Sequence, residues 1–472
     1  MSTPNTKYGP IKIAKMLSSC RSVYFIGIGG ISMSSLALMT QRMGWRVGGS
    51  DRTETDLTDW LTKEGICINY QHAADQVEPY DAVVYTVAIS PDNPEYVAAQ
   101  QSGKPLISRA DYLGYLMTHY RQRVGVSGMH GKSTCTGMLA QIFMDAQKQP
   151  TVLCGAETPR MGGAFTIGDE DLMVFEACEY MDSFLHFNPN VVVILNVEPD
   201  HLDYFSGLDQ IIRSFSAFAA KTGENGYVVA NGEDPNVAKA LQSYRGHICS
   251  FSMSPETGDY YPSNIRFEKG NASFDIFKKG EFFGHVSLRI PGKHSIMNAL
   301  AATAAADLCG VSPKSVCEAL SCFCGISRRM EWKGLFHGAD VYDDYAHHPT
   351  EIRATLSGIR SMGFRRVFCV FQSHTYTRTA KLLDEFAGAF EDADRVIFAD
   401  IYAAREKDTQ GMSPSLLAQK VGKKASYEGG MEQIVDKLAE ELDTGDVLVV
   451  MGAGDIYKIY PLMGLSTEKK DS

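Results

Sequence analysis

The sequence predicts an α/β protein with three domains, and three observations support this prediction. Short apolar runs alternate with helical patterns along most of the chain, which is typical of parallel sheets covered by helices. Two of these runs enter glycine-rich turns, at 27–30 and 125–131. The length of 472 residues exceeds one ordinary core and fits three domains of about 100–200 residues each.

The composition and charge exclude several classes of protein. The chain is 44% hydrophobic and 21% charged, which is usual for globular domains and unlike disordered chains. Its net charge of -11 offers no basic patch, so we expect neither nucleic acid nor a membrane as a partner. With no apolar leader, no run of about 18 apolar residues and no C-x-x-C pair, the sequence predicts a cytoplasmic protein. A monomer or weak dimer is expected, although no feature of the sequence specifies the oligomeric state.

The first predicted domain spans residues 1–120 and is Rossmann-like. Apolar, β-branched runs predict four parallel strands, and the first of them ends in glycines before a helical pattern. The predicted strands lie at 22–28, 45–51, 81–89 and 104–108. Such strand–helix alternation is typical of a doubly wound sheet.

The glycine-rich turn after the first strand resembles a dinucleotide-binding fingerprint. Gly29 and Gly30 lie between a strand and a helix, and Asp51 follows 22 residues after Gly29. The third fingerprint glycine is missing, because Ser32 and Met33 occupy its neighbourhood. Three interpretations stay open at this point: a nicotinamide-dependent oxidoreductase, a site for a nucleotide-linked substrate, and a plain tight turn.

The second predicted domain spans residues 121–323 and has a mostly parallel sheet of the P-loop ATPase type. A helix is predicted from Lys132 to about Ala146, directly after a strand and a glycine-rich turn. The predicted strands lie at 123–128, 171–177, 190–197 and 225–231. The more polar stretch at 255–290 alternates as antiparallel strands do.

The third predicted domain spans residues 324–472 and is again a Rossmann-like α/β domain. It follows the alanine-rich helix of 291–310. Its predicted strands lie at 339–345, 365–372, 395–402 and 446–454. Each is a short apolar run, as expected for strands buried on both faces.

The turn at 125–134 has the features of a phosphate-binding loop. Its glycines let backbone N–H groups surround an anion, and the helix that begins at Lys132 adds partial positive charge. Lys132 can neutralise β- and γ-phosphate oxygens, and the Ser133 hydroxyl can bind the accompanying Mg²⁺. The spacing is the short G-x-x-G-K-S, because Val126 replaces the first glycine of the longer motif. The alternative is a glycine turn with a surface lysine.

Two further side chains are expected beside this loop. Glu176 ends the run 171–177, and His201 follows the run 190–197, so parallel strands bring both to the edge where the loop lies. A carboxylate, a hydroxyl and an imidazole next to a triphosphate predict a magnesium site made of Ser133, Glu176 and His201. Without the loop, both residues would be ordinary strand-end or capping groups.

With these segments in hand, the chain resembles the Mur ligases of bacterial peptidoglycan synthesis. The similar segments run in the same order through nearly the whole chain, and their combination is far more specific than any one of them. They include FIGIGGISMSSLA (25–37), YTVAISPDNPE (85–95), GMHGKST (128–134), EACEYMDSFLHF (176–187), NVEPDHLDYF (196–205), PGKHSIMNALAA (291–302), DDYAHHPTEI (343–352), FQSHTYTRT (371–379) and VMGAGDIY (450–457). The segments DDYAHHPTE and VMGAGDI are most similar to the alanine-adding branch of the family.

The resemblance implies an activity, ligands and an order of domains. The first domain is expected to bind UDP-N-acetylmuramate, the second ATP with Mg²⁺ or Mn²⁺, and the third L-alanine. The expected reaction joins alanine to the lactyl carboxylate. Because a carboxylate is a poor acylating agent at neutral pH, ATP is expected to convert it into an acyl phosphate first, with Lys132 and the metal spreading the developing charge.

The resemblance also assigns residues, position by position. The expected catalytic residues are Lys132, Glu176, His201, His347 and Arg378. The expected ATP site comprises Gly128, Met129, His130, Gly131, Lys132, Ser133, Thr134, His294, Asn298, Arg329 and Asp344. The expected substrate contacts are Gly29, Gly30, Asp51, Arg109, His348 and Arg378.

Four positions depart from the family pattern. Thr375 stands where an arginine is usual, and a hydroxyl cannot replace a bidentate guanidinium, so Arg378 is expected to bind the carboxylate alone. Met129, Cys178 and Arg405 are the other departures. Besides the oxidoreductase, two alternatives remain: a ligase that recycles a whole peptide onto UDP-N-acetylmuramate, and a non-enzymatic ATP-binding switch.

Overall fold

The computed structural model describes residues 3–201, 204–268, 270–404, 406–407 and 411–465. The chain forms two compact units. The first comprises residues 1–261 and 301–316, and the second comprises residues 262–300 and 317–472. The predicted domain boundaries, 1–120, 121–323 and 324–472, stay predictions. Within the described residues, none of the helices is both long and apolar enough to cross a membrane.

The N-terminal part of the first unit contains a parallel five-stranded sheet in the order β3-β2-β1-β4-β5. Its strands are β1 (Ser22–Ile26), β2 (Arg46–Ser50), β3 (Cys67–Asn69), β4 (Ala82–Tyr85) and β5 (Leu106–Ser108). The accompanying helices are α1 (Pro10–Met16), α2 (Ile31–Arg42), α3 (Asp56–Lys63), α4 (Pro94–Ser102) and α5 (Arg109–Leu116). The central strand β1 is buried along its whole length, as its apolar sequence requires.

The same unit contains seven strands of a second sheet, in the order β12-β11-β10-β6-β9-β7-β8, and among these only β8 is antiparallel to its neighbour. The strands are β6 (Gln122–Ser127), β7 (Thr151–Thr158), β8 (Gly163–Thr166), β9 (Leu172–Glu176), β10 (Val191–Ile194), β11 (Tyr227–Asn231) and β12 (His247–Phe251). The helices are α6 (Lys132–Asp145), α7 (Leu208–Ala220) and α8 (Pro235–Ala240). The carboxyl ends of β6, β9 and β10 lie side by side, and this edge positions the phosphate loop.

The strands after residue 259 are β13 (Tyr260–Glu268), β14 (Asn271–Lys278) and β15 (Glu281–Pro291), and β14 and β15 are antiparallel. They are followed by α9 (Lys293–Leu308) and α10 (Pro313–Cys322). Buried and half-buried residues alternate along β14, which is why the sequence alternates there.

The second unit also contains a six-stranded sheet in the order β16-β17-β21-β18-β19-β20, parallel except for β16. Its strands are β16 (Glu331–Phe336), β17 (Ala339–Asp344), β18 (Val367–Phe371), β19 (Arg395–Phe398), β20 (Ala425–Tyr427) and β21 (Val447–Met451). The helices are α11 (Pro349–Ser361), α12 (Tyr376–Lys381), α13 (Leu383–Ala387), α14 (Pro414–Val421), α15 (Met431–Glu441) and α16 (Ile459–Leu462).

The α/β class with mostly parallel sheets is confirmed, and every predicted strand is present. Six strands were not predicted: β3, β7, β8, β12, β16 and β20. Each is short, lies at or near a sheet edge, or has a polar and half-exposed sequence, so none carries the continuous apolar run that marks a buried strand.

Candidate active site

The phosphate loop joins strand β6 to helix α6, as predicted. Gly128 has a φ of 140° and Gly131 a φ of 85°, conformations that side-chain-bearing residues rarely adopt. At Gly128 a Cβ would also lie 2.9 Å from the Cβ of Leu195, on the neighbouring strand end. Among the described residues, no side chain caps the first turn of α6. Its backbone N–H groups are therefore available to an anion.

The rest of the loop is held by Asn196, which follows β10. The amide N–H of His130 donates to Asn196 Oδ1 at 2.9 Å, and Asn196 Nδ2 donates to the carbonyl of His130 at 3.0 Å. Met129 is buried, whereas Ser133 and Thr134 are half-buried at the start of α6. The loop is thus fixed from its side, which leaves its concave face open to a ligand.

Lys132 lies between its own loop and a buried carboxylate. Its ammonium donates to the carbonyl oxygens of Gly128 at 2.6 Å and Met129 at 3.3 Å, and to Glu179 Oε2 at 3.1 Å. Burial is the largest single influence and opposes the positive charge, but Glu179, with Cys178 and Glu176, outweighs it and raises the pKa of Lys132. The lysine is therefore a permanent cation at neutral pH.

Glu179 is a site residue that the sequence reasoning missed. It is buried, and its Oε1 lies 3.2 Å from His201 Nε2 while its Oε2 pairs with Lys132. Burial acts to raise the pKa of Glu179, but Lys132 and His201 outweigh it, so its pKa is lowered. The sequence carries no separate signal for Glu179, which follows β9 and is brought to Lys132 by the path of the chain after that strand.

Glu176 lies at the sheet edge where the sequence places it, and it also contacts β7. It pairs in register with Val126 at the expected sheet edge, but its Oε1 accepts from the N–H of Gly155 at 2.5 Å and the thiol of Cys154 at 3.3 Å. A Cβ on Gly155 would lie 2.9 Å from the carboxylate. Among the described residues, its hydrogen bonds go to β7 rather than to Lys132 or His201.

The predicted metal set of Ser133, Glu176 and His201 stays a prediction, and Glu179 is a further candidate donor beside it. The structure brings together Glu179 and His201, with Asp200 Oδ2 3.9 Å from the imidazole. Ser133 lies on the adjoining loop. Within the described residues, no group of three His, Cys, Asp or Glu side chains is arranged to hold a metal. Two side chains and a hydroxyl fit a divalent ion that keeps most of its ligands as water and phosphate oxygen.

The first glycine loop is tied to Asp51. The N–H of Gly29 donates to Asp51 Oδ2 at 2.8 Å, and a Cβ on Gly29 would lie 2.9 Å from the same oxygen. Gly30 is exposed at the start of α2. Arg109, at the start of α5, donates to the hydroxyl of Ser32 at 3.0 Å. The predicted substrate residues of the first domain thus lie together around one loop.

A second group of predicted residues lies in the second unit, at the carboxyl end of β17. Asp344 is buried and accepts from the N–H groups of Met330 and Ala346, each at 2.8 Å. Burial is the main cause that raises the pKa of Asp344. Arg329 lies 3.6 Å from Glu351 and 5.2 Å from the ring centre of Tyr345.

His347 and His348 follow the same strand but face different partners. His347 donates its N–H to Glu351 Oε2 at 3.0 Å, and its Nδ1 lies 3.0 Å from the carbonyl of Tyr345. His348 is buried and caps α11, accepting from the N–H of Thr350 at 3.4 Å. His348 therefore has a structural function in addition to the substrate contact predicted for it.

Arg378 lies on α12, and Thr375 caps this helix. The hydroxyl of Thr375 accepts from the N–H of Arg378 at 3.4 Å, and Thr375 has a φ of 66°. The ring of His374 stacks on Tyr402, with ring centres 5.5 Å apart. Thr375 thus shapes the turn that carries Arg378, while Arg405 lies outside the described residues.

His294 and Asn298 lie at the start of α9. The ring of His294 packs over Gly292, where a Cβ would lie 2.5 Å from the imidazole Cε1. Asn298 is buried one turn further along. Gly292 has a φ of 94°, so it forms the turn that places His294.

The pKa of His347 makes stability depend on pH. Burial lowers the pKa of His347 well below about 6.5, its unfolded value. Below that pH the unfolded chain binds a proton that the folded chain excludes, so stability is lost as pH falls. We expect the thermal midpoint to fall less between about pH 7.5 and about pH 5 in His347→Gln than in the wild type. His285→Gln, at an exposed histidine, is the control, and an equal fall in all three proteins would contradict this assignment.

Three family models match consecutive parts of the chain. They are described as Mur ligase family, catalytic domain (residues 22–121), Mur ligase middle domain (126–306), and Mur ligase, glutamate ligase domain (328–454). The predicted fold class of three α/β domains is thereby confirmed.

Curated relatives match over almost the full length. The chain is 44% identical to the UDP-N-acetylmuramate–L-alanine ligase of Acetivibrio thermocellus, over 93% of this chain and 94% of the relative. It is also 44% identical to the ligase of the same name from Caldanaerobacter subterraneus, over 94% and 97% of the two chains.

Solved structures agree with these relatives. The UDP-N-acetylmuramate-alanine ligase of Thermotoga maritima superposes with a TM-score of 0.77 at 29% identity, covering 94% of this chain and 98% of that one. A murein peptide ligase from Psychrobacter arcticus has the same fold, with a TM-score of 0.70 at 24% identity and coverage of 94% and 98%.

Proposed function

Because the chain belongs to the Mur ligase family, we propose that it is an ATP-dependent ligase that joins L-alanine to the lactyl carboxylate of UDP-N-acetylmuramate in peptidoglycan synthesis. The observation that carries the proposal is the contact of Lys132 and His201 with the buried Glu179 beside an uncapped helix N-terminus. This arrangement suits a triphosphate with its metal. The names of the curated relatives support alanine as the acceptor.

The first step is transfer of the γ-phosphoryl group to the substrate. A lactyl carboxylate oxygen attacks the γ-phosphorus, the bond to the β,γ-bridging oxygen breaks, and ADP leaves. Lys132 exchanges its contacts with the loop carbonyls for phosphate oxygens and neutralises the charge that develops on them. Ser133, Glu176 and His201, with Glu179 beside them, would hold Mg²⁺ or Mn²⁺, which supplies further positive charge when bound.

The second step forms the amide. The amine of alanine attacks the acyl carbon, a tetrahedral intermediate forms, and the carbon–oxygen bond to phosphate breaks. The amine must first lose a proton, and His201 or a nearby water is the group proposed to take it. Arg378 binds the carboxylate of alanine, and Thr375 holds the turn from which it projects.

The remaining assignments follow the predicted domains. Residues 1–120 bind UDP-N-acetylmuramate around Gly29, Gly30 and Asp51, with Arg109 beside the loop. Residues 121–323 bind ATP, residues 324–472 bind alanine, and Arg329 and Asp344 are proposed as further residues of the ATP site. The enzyme acts in the cytoplasm, where ATP and nucleotide sugars are available, as a monomer or weak dimer.

The alternatives have less support. A recycling ligase that adds a whole peptide shares the fold, as the murein peptide ligase structure indicates, but that likeness is 24% identical against 44% for the alanine ligases. The oxidoreductase hypothesis explains only the first glycine loop, and the hypothesis of a non-enzymatic ATP-binding switch explains only the phosphate loop. Neither explains the ordered match of three Mur ligase domains.

The test is phosphate release from ATP by purified protein with UDP-N-acetylmuramate and one acceptor at a time. We expect release with L-alanine, and less with glycine, L-serine or a tripeptide. Release with the tripeptide alone would indicate the recycling ligase. No acceptor-dependent release would overturn the proposal, and a change in nicotinamide absorbance would support the oxidoreductase.

A change at Arg378 separates alanine binding from ATP use. Arg378→Met removes the guanidinium that binds the carboxylate, so we expect the KM for alanine to rise by about a hundredfold while the KM for ATP changes little. Arg378→Lys should be intermediate, because an ammonium cannot make the bidentate contact. Arg353→Met, at an exposed position of α11, is the control. An unchanged KM for alanine would place its carboxylate elsewhere.

A further inference from the structure

Arg328 occupies an unusual position in the second unit, next to a residue that the proposed function places near ATP. It precedes Arg329 and has a φ of 59°, and Met330 on the other side has a φ of 50°. Non-glycine residues adopt this left-handed conformation rarely and at a cost, so two of them flanking one arginine need strong local contacts. The contacts are present on both sides.

The backbone of this segment is pinned to the end of β17. Tyr345 donates its N–H to the carbonyl of Arg328 at 2.6 Å, and Met330 donates its N–H to Asp344 at 2.8 Å. The N–H of Arg328 itself donates to Glu331 at 2.9 Å. These bonds fix the backbone of Arg328 and Met330 on either side of Arg329. The direction of the Arg329 side chain therefore depends on the conformation of these two neighbours.

The side chain of Arg328 extends the same bracing to the loop after β21. Its Nη2 donates to the carbonyl of Gly452 at 2.5 Å, its Nη1 donates to that of Gly454 at 3.4 Å, and its Nε lies 3.6 Å from Asp343. The guanidinium also stacks over Tyr345, with its carbon 4.9 Å from the ring centre. A planar guanidinium can donate to both carbonyls and stack on an aromatic ring at the same time, whereas the ammonium of a lysine cannot do so.

The braced loop touches the acceptor side of the site. At Gly454 a Cβ would lie 2.6 Å from the ring of Tyr402, and this ring stacks on His374. The ring of His374 in turn lies 6.3 Å from that of His347. Arg328 therefore contacts the segment that presents Arg329 and the loop that supports these histidines.

We propose that Arg328 is a positioning residue of the ligase, which fixes the direction of Arg329 by joining its strained segment to the Gly452–Gly454 loop and to Tyr345. The inference rests on the proposed function, because it takes Arg329 to contact ATP. Arg328 itself touches neither substrate nor nucleotide in this account.

The experiment compares Arg328→Lys and Arg328→Met with Arg366→Met in the full-length protein. Arg366 makes a 2.6 Å ion pair with Asp446 at the opposite edge of the same sheet, so it controls for loss of a structural arginine. Each protein is assayed for the KM of ATP and kcat, for its thermal midpoint, and for hydrogen exchange at the amides of Met330 and Tyr345.

We expect Arg328→Met to raise the KM for ATP by about tenfold or more and to speed exchange at both amides, with a smaller effect in Arg328→Lys. Arg366→Met should lower the thermal midpoint at an unchanged KM. An unchanged KM for ATP in both Arg328 variants, or unchanged exchange, would overturn the inference. If the wild type binds ATP but turns over no acceptor, the proposed function fails, and the calorimetric Kd for ATP in the variants then decides the inference.

Discussion

Lys132→Ala is expected to lower kcat for phosphate release by about a thousandfold while the protein stays folded. The ammonium of Lys132 supplies the positive charge of the phosphate loop. It lies at the edge of the sheet where the parallel strands β6, β9 and β10 end. Alanine at this position leaves the charge that develops on the transferred phosphoryl group uncompensated. The measurement is kcat at saturating substrates, with the thermal midpoint recorded in parallel.

Two control variants make this result specific. Lys132→Arg keeps a positive charge but replaces the compact ammonium between the two loop carbonyls with a larger planar group, so we expect partial activity. Lys221→Ala removes an exposed lysine at the end of α7 and should leave kcat unchanged. Activity retained in Lys132→Ala would mean that the loop is a structural turn.

The second large effect is expected at Glu179. Glu179→Gln keeps the size of the side chain but removes the charge that Lys132 and His201 share, and it removes the carboxylate proposed to bind the metal. We expect kcat to fall by about a hundredfold at ordinary magnesium, with partial recovery as the magnesium or manganese concentration is raised. The measurement is kcat as a function of metal concentration.

Glu176→Gln is the matched control for this prediction. Glu176 hydrogen-bonds to Cys154 and Gly155 on β7, so Glu176→Gln should lower the thermal midpoint. Its kcat should depend on the metal concentration as that of the wild type does. The opposite pattern, in which kcat falls and recovers with added metal in Glu176→Gln but not in Glu179→Gln, would favour the donor set expected from the sequence.

Much of the fold could be predicted from the sequence because parallel strands are buried on both faces. Strands such as β10 and β21 are continuous apolar runs, and the glycine turns after β1 and β6 mark the entries into helices. Edge strands such as β16 and β20 carry polar, half-exposed residues, so their pairing depends on neighbours that are distant in the sequence.

The sequence predicts at which sheet edge the site lies, but not which side chains contact one another there. Sequence position brings Glu176 and Glu179 equally close to the loop, and only the path of the chain after β9 decides which carboxylate meets Lys132. The same limit applies to Thr375, whose hydroxyl caps the helix that carries Arg378, and to the left-handed backbone at Arg328. These features depend on turn geometry, for which the sequence carries no periodic signal.

The most direct test of the account follows oxygen from the substrate into the products. UDP-N-acetylmuramate labelled with ¹⁸O in its lactyl carboxylate is incubated with the protein, ATP and L-alanine, and the released phosphate is analysed by mass spectrometry. Attack of the carboxylate on the γ-phosphate, followed by displacement by the amine, predicts one labelled oxygen in each phosphate released and one in the new amide. Unlabelled phosphate, or label in AMP, would contradict ligation through an acyl phosphate.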